Sequence, residues 1–323
     1  MKAAVVYKKG ELPKYAELQE PIAINENEVL IAMKAVAITN LEKGIVSGKH
    51  YSAENENQEK VIIGSDGIGL LENGTRVYVR GISGTIAEKA VVDKTRMVPL
   101  PEEIDTAIAA AIPNAVAGSA MALRFRSEIK SGEIVLINGA TGFTGQIAIQ
   151  IARHYGAAKI IATGRNENAL QNLLNLGADE IISLKQNDDE IIHQLKEIYL
   201  NNPIDIVLDY IWGHSAELIF SSLKGNGAFS HKVRYISIGA MSGDTIKLSA
   251  SILRSVDLHL SGSGLGSWSK TEVRLLFTEI LPEMLLLAAQ NKLKINIENV
   301  NLSDIEKAWN TELSDGRRLV VNI

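Results

Sequence analysis

Apolar positions fall into two textures along the chain. Up to about residue 113 they come as short runs, at 3–7, 29–37, 61–63, 76–79 and 88–92, separated by Gly, Pro and Asn. Runs of this length between turn formers predict strands, and no long helical period interrupts them. The pair Asn73-Gly74, set between Ile68-Gly69-Leu70-Leu71 and Arg76-Val77-Tyr78-Val79, predicts a two-residue hairpin turn, because both residues tolerate positive φ. The polar stretch 52–60 reads as a surface loop.

After Pro113 the texture changes. Ile134-Val135-Leu136-Ile137 is a buried-strand run, followed by a glycine-rich turn and a helical pattern over 146–153. Strand and helix then alternate: a strand at 159–162, a helix near 167–176, a strand at 180–182, a helix near 188–200, a strand at 205–208, a helix near 215–223 and a strand at 233–238. This order predicts right-handed βαβ crossovers and a doubly wound parallel sheet. The last part is mixed, with strands at 257–260 and 318–321 and helices near 270–291 and 303–310.

Composition narrows the chemistry. The 323 residues suit roughly two domains, and 46% hydrophobic content is enough to build cores without staples. Lys and Arg number 33 against 38 Asp and Glu, so the net charge is 33 − 38 = −5, which argues against a general nucleic-acid binder. The chain has no cysteine, which excludes disulfides, thiolate zinc sites, iron–sulfur ligation by Cys and a cysteine nucleophile. No stretch reaches the roughly 18 uninterrupted apolar residues of a membrane span, and the first residues are charged too soon for a signal peptide. A cytoplasmic location with no nucleic-acid or membrane partner is the expectation.

The turn Asn138-Gly139-Ala140-Thr141-Gly142-Phe143-Thr144-Gly145 sits between an aliphatic strand and a helix, as a dinucleotide fingerprint does. On that fingerprint Gly142 lets backbone approach a pyrophosphate, Gly145 is the close helix–strand contact, and Ala140 stands at the first glycine. A helix starting near Phe143, with Thr144 in its first turn, would point N–H groups at the phosphates. The next strand ends Thr163-Gly164-Arg165-Asn166. An NAD binder usually carries an acidic residue there for the ribose hydroxyls, whereas Arg165 offers a permanently charged planar donor to a 2′-phosphate, which favours NADPH. Gly239 and Ala240 follow the strand at 233–238 at the carboxyl edge, where ligands bind in such sheets.

A second motif competes. Tyr155-Gly156-Ala157-Ala158-Lys159 fits the Tyr-x-x-x-Lys pattern of short-chain dehydrogenases. Its position defeats it, because the pair ends the first crossover helix and enters the next strand instead of lying on a later helix. The six histidines are scattered, and no two have metal-ligand spacing, so no metal site is expected.

With its glycine turn some 140 residues into the chain, the sequence as a whole resembles the medium-chain dehydrogenase/reductase superfamily, and in it the zinc-independent quinone oxidoreductase-like branch. Besides the turn, the resemblance rests on Val36-Ala37-Ile38-Thr39-Asn40-Leu41-Glu42, Val46-Ser47-Gly48-Lys49-His50-Tyr51, Gly64-Ser65-Asp66-Gly67-Ile68-Gly69, Ala109-Ala110-Ala111-Ile112-Pro113, Ser131-Gly132-Glu133 and Asp205-Ile206-Val207-Leu208-Asp209-Tyr210-Ile211-Trp212-Gly213. It implies an α/β protein with a GroES-like β-rich catalytic domain at 1–113, a Rossmann doubly wound parallel-sheet domain at 114–255, and a return segment at 256–323 completing the first domain. It also implies a homodimer, and a loop at Gly262 and Ser263 beside the nicotinamide. The chain departs from the family pattern in a shorter connection between Gly69 and Val77, in Thr39 where an Asn is usual, and in the displaced Tyr51.

Without a metal to polarise a carbonyl, hydride transfers most readily to an activated acceptor such as a quinone or an α,β-unsaturated ketone, with a protein donor for the developing oxygen. Tyr51 and Asn40, with Thr39 behind them, are the candidate catalytic donors. The expected activity is an NADPH-dependent quinone or enone reductase. A metal-free carbonyl or enoyl-thioester reductase and a non-catalytic NADPH sensor are the alternatives.

Overall fold

The computed structural model describes residues 1–50, 60–225, 230–313 and 315–323. The chain divides into two compact units. One is formed by Met1–Asn114, Phe277–Leu313 and Arg317–Ile323, the other by Ala115–Leu276 and a short segment ending at Gly316. The sequence reading closes the second domain at residue 255; the observed division lies after Leu276.

The first unit holds strands β1 (Lys2–Val6), β2 (Lys14–Glu17) and β3 (Glu28–Ile38), helix α1 (Asn40–Val46), and strands β4 (Val61–Ile62), β5 (Asp66–Leu70), β6 (Arg76–Arg80), β7 (Lys89–Asp93) and β8 (Val98–Pro99). Helix α2 (Thr106–Met121) leads into the second unit. The long strand β3 organises this unit. Residues 28–32 pair with β7, and residues 35–38 pair with the chain's last strand. Met33, Val36 and Ile38 meet Val77, Val79, Val92, Leu319 and Trp309 in one core.

The second unit alternates β9 (Ile134–Asn138), α3 (Phe143–His154), β10 (Lys159–Gly164), α4 (Glu167–Asn175), β11 (Glu180–Ser183), α5 (Asp188–Asn201), β12 (Ile206–Asp209), α6 (Gly213–Leu223), β13 (Lys232–Ser237), α7 (Ala250–Ser255) and β14 (Asp257–Gly262). Among the described residues its strands form one parallel sheet in the order β11-β10-β9-β12-β13-β14. That order reverses at β9, as in a dinucleotide-binding fold. The apolar run of β9 lies inside the sheet with a strand on either side, which explains why it shows no polar alternation, and α3 is buried along nearly its whole length, Gln146 and Gln150 included. The helices start where the sequence supplies caps: the Asn166 side chain accepts from the Ala169 N–H, and Asn187 with Glu190 makes a reciprocal capping box. The chain then returns through α8 (Lys270–Leu275), α9 (Leu281–Ala289), β15 (Ile297–Asn301), α10 (Ile305–Ala308) and β16 (Arg318–Asn322).

Three local expectations change. The connection from β5 to β6 is longer than two residues: Gly74 alone takes positive φ, at 84°, and its N–H donates to the Leu71 carbonyl. The Asn73 side chain accepts from the Thr75 N–H instead of Asn73 adopting the left-handed conformation. The helix expected over 270–291 is two helices joined by a wider turn at Leu276–Ile280, because Pro282 at the head of α9 has no N–H to continue the ladder. Helix α2 begins ahead of Pro113 and runs through it, started by Asp105, whose carboxylate accepts from the Ala107 and Ile108 N–H groups at 2.9 Å each. The helical stretch Thr106–Arg126 has the length and composition of a membrane span, but 72% of its most apolar window is buried inside the protein, as in a core helix.

Gly145 marks the tightest fit between α3 and the turn ahead of it. A Cβ there would lie 2.5 Å from the Ala140 Cα, which is backbone and cannot step aside. Gly145→Ala is therefore expected to cost about 2 kcal/mol of stability by overpacking. Urea unfolding checks this, and an unchanged midpoint would show that the helix shifts freely.

Candidate cofactor site

The residues expected at a cofactor all leave the same edge of the parallel sheet, the carboxyl ends of β9, β10, β13 and β14. At the end of β9 the tight turn is made by Gly139, at φ 82°, while Ala140 is fully buried and its N–H donates to the Thr163 carbonyl at 2.8 Å. The conformational freedom that the fingerprint assigns to the first glycine is thus exercised one residue earlier. Gly142 caps α3 and is exposed; a Cβ on it would meet nothing nearer than the Gly139 carbonyl at 4.0 Å. The space above the turn is open, and the first-turn amides of α3, from Phe143 and Thr144 onward, face it. This cradle fits a pyrophosphate.

Gly164 closes β10 against the same turn, since a Cβ there would sit 2.2 Å from the Thr141 methyl carbon. Beyond it, Arg165 is exposed and Asn166 has its side-chain oxygen engaged in capping α4. Arg165, Asn166, Glu167, Asn168 and Lys185 line a surface pocket of about 400 Å³. Lys185 is a second cation that sequence reading missed. It follows β11, the neighbour of β10, and only sheet pairing reveals that the two strand ends are adjacent.

On the other side of the switch point, the Gly239 N–H donates to the Asp209 carbonyl at 3.2 Å, and Ala240 is exposed. Gly262 pairs with Ser237 at the end of β14. Ser263 is buried; its N–H donates to the Ser237 carbonyl at 2.8 Å, and its hydroxyl accepts from the Trp268 indole N–H at 3.1 Å. The segment after Ser263 is anchored by Arg126, which donates to the Ser267 carbonyl at 2.6 Å and to Glu272 Oε1 at 2.7 Å.

A polar cluster lies buried beneath these loops. Asp209 accepts from the Tyr235 hydroxyl at 2.6 Å and from Asn138 Nδ2 at 2.8 Å, and Asn138 Oδ1 accepts from the Thr163 hydroxyl at 2.7 Å. Burial pushes the Asp209 carboxyl up from its ordinary value, against the hydrogen bonds from Tyr235, Trp212, Ile211 and Asn138.

The expected catalytic donors lie in the other unit. Thr39 is buried at the head of α1, where its hydroxyl oxygen accepts from the Glu42 N–H at 3.1 Å. Asn40 is the exposed first residue of that helix. Tyr51 lies outside the described residues. The same unit holds two acids that sequence reading passed over. Glu42 is 6% exposed and accepts from the Ser65 N–H at 3.0 Å and from the Ser65 hydroxyl. Asp66 accepts from the Tyr78 hydroxyl at 2.9 Å. Burial raises both carboxyls, opposed most by the Ser65 hydroxyl at Glu42 and by the Arg80 charge at Asp66. Burial also lowers the Arg318 guanidinium, to about 10. Thr39-x-x-Glu42 is itself a capping-box spacing and would have revealed α1. Among the described residues no group of three His, Asp or Glu is placed to hold a metal ion.

The family of zinc-binding dehydrogenases matches residues 144–280. Among curated relatives, a probable NADPH-dependent quinone reductase of Emericella nidulans is 24% identical over 351 residues, covering 96% of each chain. The human quinone oxidoreductase is 28% identical over 283 residues, 84% of this chain and 82% of its own. These matches support the medium-chain dehydrogenase/reductase superfamily and its quinone oxidoreductase-like branch. Among solved structures, the quinone oxidoreductase of Thermus thermophilus, determined also in complex with NADPH, superposes with a TM-score of 0.80 at 25% identity over the whole of both chains. The superfamily's GroES-like and Rossmann domains are the two units described above.

The anchor at Glu272 has a pH signature. The Arg126 hydrogen bond, with Ser269 adding to it, holds this carboxyl down at about 2. A depressed pKa contributes stability above the ordinary carboxylate value, and that contribution disappears as pH falls through the folded-state value. Glu272→Gln is expected to cost about 1 kcal/mol at neutral pH, after allowance for solvent screening. Denaturation of both proteins at neutral pH and at about pH 3 checks this, and the difference should shrink in acid. A constant difference would assign the effect to lost packing.

Proposed function

We propose that the protein is an NADPH-dependent oxidoreductase that delivers hydride to a quinone or an α,β-unsaturated carbonyl compound without using zinc. The observation that carries this reading is the sheet edge where the open turn at Gly142 lies near the pocket lined by Arg165 and Lys185. When bound there, NADPH supplies the hydride. Gly142 with the first-turn N–H groups at Phe143 and Thr144 would cradle the pyrophosphate, Gly145 would let α3 sit close to that turn, and Arg165 and Lys185 would pair with the 2′-phosphate, whose charge two cations recognise better than one. Gly239, Ala240, Gly262 and Ser263 line the nicotinamide end. Asn40, exposed at the head of α1, offers its carboxamide N–H to the oxygen that gains charge during reduction, with Tyr51 as a second donor. The Thr39 hydroxyl oxygen is engaged with the Glu42 N–H, so we assign Thr39 to holding Asn40 in place.

The absence of cysteine from the whole sequence supports chemistry without zinc, because the thiolate ligands of the superfamily's alcohol dehydrogenases cannot be built. The relatives named as quinone reductases support the acceptor class. We also propose a homodimer. Strand β14 ends the sheet order and is exposed along most of its length, leaving an edge that a second copy can cover. A cytoplasmic location fits the need for a reduced nucleotide pool.

NADPH oxidation with a panel of quinones, enones, enoyl thioesters and simple aldehydes tests the reading. Turnover of a quinone or enone in the presence of a metal chelator is expected. Turnover of thioesters or aldehydes alone would move the protein to a different reductase class, and binding without turnover would make it a sensor. Arg165→Ala and Lys185→Ala should each weaken NADPH about tenfold and leave NADH nearly unchanged, as expected for losing one charged partner of a phosphate. Equal effects on both nucleotides would show that these cations do not meet the 2′-phosphate. Sedimentation velocity tests the dimer, and a monomer at micromolar concentration would rule it out.

A further inference from the structure

Strand β12 ends at Asp209, the turn Tyr210-Ile211-Trp212 leads from it into α6, and the last residue of that turn is strained. Trp212 has φ 55° and ψ −152°, close to a region open almost exclusively to glycine. Its indole packs edge-on against Tyr235 and Phe220, with ring centroids 6.0 and 6.2 Å away. The backbone is held from beneath. One carboxylate oxygen of fully buried Asp209 accepts from the N–H groups of Ile211 and Trp212, both at 2.9 Å. The other oxygen is occupied by the Tyr235 hydroxyl at 2.6 Å.

This turn lies against the loops on either side of the switch point. On one side, a Cβ on Gly139 would be 2.6 Å from the Ile211 side chain. On the other, a Cβ on Gly239 would be 2.5 Å from the Tyr210 carbonyl, and the Ile211 carbonyl accepts from the Ser242 N–H at 2.7 Å. A relaxed Trp212 would swing Ile211 and disturb both contacts.

We infer that Asp209 is a positioning residue: by holding Trp212 in its strained conformation it sets the spacing between the Gly139 turn and the Gly239 loop, and through that spacing the affinity for the dinucleotide. This rests on the reading that NADPH binds at this sheet edge. Glycine adopts the Trp212 conformation without steric cost, so a glycine there makes the carboxylate's hold dispensable.

The test is a double-mutant cycle in NADPH affinity, measured by calorimetry, using Asp209→Ala, Asp209→Asn, Trp212→Gly and their combinations. Trp212→Ala serves as the control that removes the indole but keeps the Cβ. Asp209→Ala is expected to weaken NADPH about tenfold, and Asp209→Asn less, because an amide oxygen still accepts from the turn. On the Trp212→Gly background both losses should fall to about twofold or less. Equal losses on both backgrounds, or the same rescue by Trp212→Ala, would overturn the inference. If Asp209→Ala does not fold, Asp209→Asn carries the comparison. Amide hydrogen exchange at Ile211 and residue 212 is the second readout: Asp209→Asn should speed it, and adding Trp212→Gly should restore protection. Wild-type protein that binds no NADPH would defeat the functional reading instead, while the exchange data would still show whether Asp209 holds the turn.

Discussion

One carboxylate without access to water ties together the strand ends that build the nucleotide edge. Asp209 joins its own strand to β9 through Asn138 and to β13 through Tyr235, and Asn138 extends the link to Thr163 on β10. An unpaired buried charge would cost several kcal/mol, so the carboxylate is tolerable only while its donors stay in place. Hydrogen bonds are directional in a way that apolar packing is not. A cluster of this kind therefore fixes where each strand stops, and the position of every loop above it follows. The strain at Trp212 is stored in the same place, next to the glycines whose missing side chains let the loops approach.

The β-rich unit uses buried charge differently. Glu42 and Asp66 are held by Ser65 and Tyr78, with the cations Arg80 and Arg318 acting on Asp66. Burial raises both acids and lowers Arg318, so in each of them the ionised form carries a desolvation cost. Glu42 also illustrates how tertiary contacts override local grammar. By spacing it belongs to a capping box with Thr39, yet its carboxylate turns to Ser65, 23 residues away. Local capping is worth about 1 kcal/mol and is readily outweighed by a buried interaction.

Much of the Rossmann unit was legible because each of its parts carries a local signal. The aliphatic run of β9, the glycines of the turn and the periodicity of α3 sit together within about twenty residues, and Arg165 follows at the next strand end. The β-rich unit was less legible. Helix α1 is short and buries Glu42, so it shows no amphipathic stripe, and α2 hides its start in an alanine-rich run ahead of a proline. The candidate donors rest on position in the family pattern, and the Thr39 hydroxyl oxygen is occupied in capping a helix that the pattern does not display.

By itself the sequence determined the alternation of elements, the glycine turn and the loss of thiolate chemistry, because each depends on residue types and on neighbours close in the chain. Tertiary structure alone decided which strand ends lie side by side. Lys185 beside Arg165, and Asp209 beneath Asn138 and Tyr235, are separated by tens of residues and are brought together by parallel pairing. No local pattern records that pairing, since in a parallel sheet each partner strand is reached only after a helix has crossed over. The strain at Trp212 has a mixed origin: Asp209, three residues ahead of it, accepts from its N–H, but only the fold seats that carboxylate against Tyr235 and brings the rings of Phe220 and Tyr235 to the indole.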